Sequence, residues 1–165
     1  MYMGIDLGTS GVKTLLINDQ QKIIAIASSR PLEVSRPQHR WSEQDPALWW
    51  DAVCESIDQL AVSHPRDLAA VRGIGLSGQM YGATVLDEND LPLRPAILWN
   101  DSRSERECAE LGARVPRLKH IAGRAATPGV TAPKLAWLRK HEPQTFRRIR
   151  SVLLPKDYVR LKLTG

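Results

Sequence analysis

The stretch Asp6-Leu7-Gly8-Thr9-Ser10-Gly11 limits what this chain can fold into more than any other. An apolar run from Tyr2 leads into it, and Lys13-Thr14-Leu15-Leu16-Ile17 resumes a strand-like run after it, so the glycines join a strand to a strand. That order removes the support for two nucleotide-binding readings, since no GxxxxGK motif occurs and no GxGxxG opens a helix. The composition of the turn still suits phosphate. Gly8 and Gly11 let backbone N–H groups converge on an anion, Thr9 and Ser10 add hydroxyl donors, Lys13 adds positive charge, and Asp6 at the strand end can hold a hydrated Mg2+. A simple hairpin turn is the bland alternative.

Asn18-Asp19-Gln20-Gln21 reads as a second turn and Lys22 to Ala27 as a third strand, completing an antiparallel meander. Residues 30–46 hold Pro31, Pro37 and Pro46 and read as an extended connection. Asp45-Pro46 has the form of an N-cap followed by proline, and Trp49, Ala52, Val53, Ile57, Leu60 and Ala61 recur at helical spacing, which predicts a helix to about residue 62. Val71 to Leu76 reads as a buried strand that delivers Ser77-Gly78-Gln79-Met80-Tyr81-Gly82. Ala83 to Leu86 and Ala96 to Trp99 read as two more, the second delivering Asn100-Asp101-Ser102-Arg103. Strand ends of this kind are where α/β proteins place ligands. Helices are predicted over 103–114, 133–141 and 157–163, a loop over 123–128 and a short strand over 151–154. The last periodic segment runs to Leu163-Thr164-Gly165 with no capping structure after it, the pattern expected of a chain cut inside a larger fold.

At 165 residues, 42% hydrophobic and 25% charged, the chain has the volume and composition of one globular domain. No run of 18 apolar residues spans a bilayer, and Met1-Tyr2-Met3-Gly4-Ile5-Asp6 has no basic region of a leader peptide, so a cytoplasmic protein without a membrane partner is expected. Cys54 and Cys108 are far apart and read as reduced structural thiols. His39, His64, His120 and His141 lack ligand spacing. Charge is uneven, with net −5 over residues 1–101 and net +10 over 102–165. The basic part has only Trp137, Phe146 and Tyr158 as aromatics, without the interleaving of an RNA platform, which argues against nucleic acid and leaves a polyphosphate ligand or an acidic neighbour.

Several blocks occur in a telling order. Gly4-Ile5-Asp6-Leu7-Gly8-Thr9-Ser10-Gly11-Val12-Lys13 comes first, then Trp41-Ser42-Glu43-Gln44-Asp45-Pro46 with Trp49-Trp50, then Gly78-Gln79-Met80. Pro95 to Asp101 with Arg103, Gly129 to His141, Leu154 to Tyr158, and Leu163-Thr164-Gly165 follow. Together they resemble the FGGY carbohydrate kinases over essentially the whole chain, and most closely the branch that acts on D-xylulose. The resemblance implies an α/β, ribonuclease H-like fold of the actin, hexokinase and Hsp70 ATPase type, here a truncated N-terminal lobe. Residues 1–165 would be an incomplete N-terminal domain, with the rest of it and a C-terminal domain absent.

The resemblance further implies ATP- and Mg2+-dependent phosphorylation of D-xylulose to D-xylulose 5-phosphate. Asp6 would organise the metal, and Gly8, Thr9, Ser10, Gly11 and Lys13 the phosphate. Met80 and Tyr81 would line the sugar pocket, with Trp99, Asn100, Asp101 and Arg103 nearby. Trp99 and Trp137 also suit core packing, and Arg103 also suits a helix face. The family's general base, an aspartate, is expected beyond residue 165, and a homodimer is compatible with the family. Two positions depart from that branch: Tyr81 stands where histidine is usual, and Ser102 where glycine is. Tyrosine keeps a hydrogen-bonding tip but cannot become cationic near neutral pH. Ribulose, fuculose, glycerol or gluconate therefore stay open as substrates, as does a non-catalytic sugar-binding lobe.

Overall fold

Strict alternation of buried and open side chains along Tyr2–Leu7 makes this segment a half-covered strand, β1. The computed structural model describes residues 1–165. β2 (Val12–Ile17), β3 (Ile23–Ser28), β4 (Glu43–Gln44), α1 (Pro46–Ser63), α2 (Pro65–Ala69) and β5 (Ile74–Gly78) follow. Next come β6 (Thr84–Leu86), β7 (Ala96–Ile97), α3 (Glu105–Arg114) and α4 (Leu118–Ala122). α5 (Thr131–His141), α6 (Pro143–Arg148), β8 (Ser151–Leu153) and α7 (Pro155–Thr164) complete the order. Contacts divide the chain into two units, one of Met1–Val34, Pro46–Gln79 and Lys156–Gly165, the other of Ser35–Asp45 and Met80–Pro155.

The first unit is built on a four-stranded sheet in the order β3-β2-β1-β5. The meander is antiparallel as the sequence predicts, and β5 adds parallel to β1 after the α1 crossover. Register puts Met3 opposite Leu16, Ile5 opposite Thr14 and Leu7 opposite Val12 on the buried face, and Asp6 opposite Lys13 on the open one. α1 packs on β2 and β3. It contributes Trp49, Ala52, Val53 and Leu60 to the core, and Ser56, whose hydroxyl lies 2.7 Å from that of Thr14. From α7, Tyr158 sets its ring 6.3 Å from that of Trp49. The expectation of a buried strand at Val71 to Leu76 is corrected. The strand begins at Ile74 and is mostly open, because it is the sheet's edge and α1 lies over β2 and β3 instead. Val71 and Arg72 belong to the turn after α2, where the Arg72 amide donates to Met1 O.

The second unit has two short antiparallel pairs, β4 with β7 and β6 with β8. Its core joins Ala83, Val85, Ile97, Trp137 and Leu138, with Trp41, Leu93, Leu135, Phe146 and Ile149 packed against them. The strand expected from Ala96 to Trp99 ends at Ile97, because the chain turns there and the Asp101 amide donates back to Leu98 O. β4 lies inside the stretch read as an extended connection, and α2, α4 and α6 were not legible from periodicity. At five or six residues, such helices are too short to display a stripe. Cys54 and Cys108 are free and half-buried, and burial raises the pKa of both thiols. No helix is long and apolar enough to cross a membrane.

Candidate functional site

β1 and β2 meet through Gly8–Gly11, where the Gly8 amide donates to Gly11 O at 3.0 Å. A Cβ at position 8 would stand 3.0 Å from that same oxygen, so the turn needs glycine there for closeness. Neither Gly8 nor Gly11 takes a positive φ. The N–H groups open to an anion are fewer than the sequence suggests, since the Gly8 N–H is used within the turn and the Val12 N–H goes to Ser29 Oγ. The Ser10 and Gly11 N–H groups donate to no protein acceptor. Asp6, Gly8, Ser10, Gly11 and Lys13 line one cavity of about 320 Å3 together with Ser28 and Ser29. Thr9 is turned away from that cavity, its hydroxyl donating to Gln79 Oε1 at 3.2 Å.

Asp6 is a lone carboxylate here, and no group of three His, Cys, Asp or Glu side chains forms a protein-built metal cage. A single carboxylate fits Mg2+ in the mode in which the ion keeps its waters and is shared with substrate phosphates. Lys13 stands opposite Asp6 across the ladder, which puts a positive charge beside the same opening.

In the second unit the residues expected from sequence to face a sugar separate into two sets. Met80 is 58% exposed, Trp99 is 49% exposed, and Asn100 is also open to solvent. Tyr81 is half-buried with φ +61°, in the left-handed region that a tyrosine seldom adopts. Its hydroxyl accepts a hydrogen bond from Arg124 Nη1 at 2.9 Å, and that guanidinium lies 5.2 Å from the ring centroid. The Tyr81 carbonyl accepts from Lys134 Nζ at 2.7 Å and Thr131 Oγ1 at 3.2 Å.

Asp101 and Arg103 face inward. Asp101 accepts the Ser42 amide at 2.7 Å, the Arg103 amide at 3.0 Å and Arg103 Nη2 at 2.7 Å. The Arg103 side chain is 1% exposed, pairs with Glu43 at 2.7 Å, and sits 3.6 Å from the Trp41 ring and 5.0 Å from that of Trp137. Arg94 extends the network to Glu43 and Glu142. Both members of the Asp101–Arg103 pair are thus committed to framing the β7 end, and Arg103 is not on a helix face. Trp137 is in the core, as packing alone predicts, while Trp99 is not. A cavity of about 700 Å3, lined by Glu107, Leu135, Lys140 and Phe146 among others, contains none of the candidate site residues named from sequence.

Sequence reasoning missed Lys134, Thr131 and Arg124 as the residues that hold Tyr81. Lys134 carried a signal: a lysine between Pro133 and Leu135 on the apolar side of a helix is out of place unless it has acceptors inside. Burial lowers its pKa to about 8, with Asp101 raising it and Arg103 lowering it in smaller measure.

Residues 1–165 match the FGGY family of carbohydrate kinases, N-terminal domain. The chain is 53% identical over its full length to the xylulose kinase of Escherichia coli strain K12, and 49% identical to that of Klebsiella pneumoniae. It spans about a third of the length of these relatives, 34% in both cases. Among solved structures, the xyloylose kinase from Brucella ovis superposes with a TM-score of 0.94 at 56% identity, covering 97% of this chain and 33% of that one. Xylulose kinase from Rhodospirillum rubrum gives a TM-score of 0.91 at 31% identity, covering 98% and 34%. These likenesses bear out the actin- and hexokinase-like α/β fold that the sequence resemblance implies. With fold, motif order and full-length match in agreement, the chain belongs to the FGGY family of carbohydrate kinases.

Proposed function

We propose that these 165 residues form an incomplete N-terminal domain, about a third of an ATP-dependent kinase that phosphorylates D-xylulose at its terminal hydroxyl. The observation that carries this reading is the 53% identity to the Escherichia coli xylulose kinase without loss of coverage anywhere in the chain. Phosphoryl transfer depends on positioning and charge neutralisation more than on covalent chemistry, so the residues required are donors and cations around the phosphate and a shaped pocket for the sugar. The Ser10 and Gly11 amides and Lys13 are the phosphate donors in this reading, with Gly8 and Thr9 shaping the turn that presents them. Asp6 is the residue that would hold Mg2+, which when bound supplies charge neutralisation to the phosphates.

Met80, Tyr81, Trp99 and Asn100 are the sugar-contacting set. Asp101 and Arg103 hold the strand end that carries Trp99 and Asn100. Asp101 is not the general base, because its oxygens are already taken by Ser42 and Arg103 and its side chain is out of reach of solvent. The base and the adenosine pocket are assigned to the two-thirds of the relatives that this chain does not cover. No nucleic acid or membrane partner enters the reading, and the site is that of a cytoplasmic enzyme.

A chimaera tests the proposal: the first third of the Escherichia coli enzyme is replaced by these 165 residues, and ADP release is followed with D-xylulose, ribulose, fuculose, glycerol and gluconate. D-xylulose is expected to give the highest kcat/KM, and the 165-residue chain alone is expected to give no turnover. A folded chimaera that prefers another of the five substrates overturns the D-xylulose reading, with Tyr81 as the first residue to examine.

A further inference from the structure

Lys134 is fully buried, yet no carboxylate lies within ion-pair distance of it. Its ammonium spends its hydrogen bonds on two backbone carbonyls instead, Tyr81 O at 2.7 Å and Gly129 O at 2.6 Å. Burying a cation is unfavourable, and an apolar residue of similar volume would fill the same place on α5 without that cost. What the ammonium adds is therefore the tie between the two segments it bridges. One is Tyr81 itself, whose left-handed φ of +61° must be held by its surroundings. The other is Gly129, which stands so close to the Trp99 backbone that a Cβ there would lie 2.7 Å from Trp99 O. Thr131, three residues before Lys134 on the same helix, gives the Tyr81 carbonyl its second donor.

We infer that Lys134 is a positioning residue for the sugar: through the Tyr81 and Gly129 carbonyls it ties the segment that carries Met80 and Tyr81 to the segment packed against the Trp99 backbone. The inference rests on the sugar-side reading proposed above. It adds a buried group that touches no substrate and sets where the contacting residues stand. Each charge-assisted bond to a carbonyl is stronger than a neutral one, which suits a lock on a disfavoured backbone conformation.

The test uses the chimaera and three variants. Lys134→Met keeps the apolar stem and removes both ties. Thr131→Val removes only the weaker, neutral hydrogen bond to the Tyr81 carbonyl. Leu138→Ala, in the same helix and the same core, destabilises without touching either carbonyl. Lys134→Met is expected to raise the sugar KM tenfold or more with the ATP KM within twofold, and Thr131→Val to raise it two- to fivefold. Leu138→Ala is expected to lower Tm while leaving the sugar KM within twofold. Amide hydrogen exchange of the 79–83 segment, which needs no turnover, is expected to quicken tenfold in Lys134→Met and not in Leu138→Ala. The inference is overturned if Thr131→Val and Lys134→Met leave the sugar KM and that exchange unchanged, or if Leu138→Ala alters both as much as Lys134→Met does. If the unmodified chimaera prefers another polyol, the D-xylulose reading fails alone and the comparison is made with that polyol. If it turns over none, hydrogen exchange decides.

Discussion

The two units of this chain position their functional residues by different means. In the first, the Gly8–Gly11 turn hangs from a backbone ladder, and the side chains beside it reach solvent with little holding them: Asp6 and Lys13 are exposed on the open face. In the second, the strands are two or three residues long and give little ladder. Side chains take over there, with Arg103 between two indoles and bound to two carboxylates, and Lys134 on two carbonyls. A ladder tolerates loss of a side chain because its bonds are main-chain. A buried polar network does not, because each member removed leaves its partner unsatisfied.

Arg103→Met breaks the comparison if it is wrong. Removing the guanidinium leaves Asp101 buried without a cation and Glu43 with Arg94 alone, for which a loss of about 3–5 kcal/mol is expected. Thermal unfolding would register this as a Tm lower by about 10 °C or more. A loss below about 1 kcal/mol would mean that the second unit also stands on its backbone.

Asp6→Asn probes the other side. The ladder is untouched and the side chain is open, so Tm should stay within about 2 °C while kcat of the chimaera falls about a hundredfold, roughly 2.7 kcal/mol, with the sugar KM little changed. A destabilised Asp6→Asn protein with normal kcat would return Asp6 to the role of a turn residue.

This contrast also decides how much could be read from sequence. The meander, its turn and α1 follow from alternation and from three- and four-residue spacing, which are local signals. Asp6, Gly8, Ser10, Gly11 and Lys13 fall within eight positions, so a motif can place them together, though not reveal that Gly8 uses its own N–H inside the turn. Tyr81 depends on Lys134, 53 positions on, and Asp101 on the Ser42 amide, 59 positions back. No periodicity reports a contact across such a separation. Arg103 illustrates the limit, since a charged residue at the start of a predicted helix suits a solvent-facing helix face until the two tryptophans that enclose it are known.

The smallest effect sharpens the picture of Lys134. Its folded-state pKa of about 8 lies below the ordinary 10.5, so between those values the unfolded chain binds more protons and stability rises with pH. The groups that face it are Asp101, which favours the charged form, and Arg103, which opposes it. The two carbonyl acceptors also favour the ammonium and offset part of the burial. The expected gain is about 2–3 kcal/mol between pH 8 and 10.5, read as a Tm difference between the natural sequence and Lys134→Met that changes by several °C over that range. A difference that does not vary over that range would show that the ammonium keeps its ordinary pKa.

The units are not consecutive in the chain, and this has a consequence for how the protein is made. Residues 80–155 lie between two portions of the first unit, whose α7 supplies Tyr158 against Trp49 and Lys162 over the Trp50 ring. During synthesis on the ribosome, α1 and the sheet emerge early but lack that covering until residues 155–164 have left the exit tunnel. The nested second unit has all its parts before then. The order of completion is thus the reverse of the order of emergence, and the early-made sheet and α1, still waiting for α7, form the segment for which a holding chaperone has the longest opportunity.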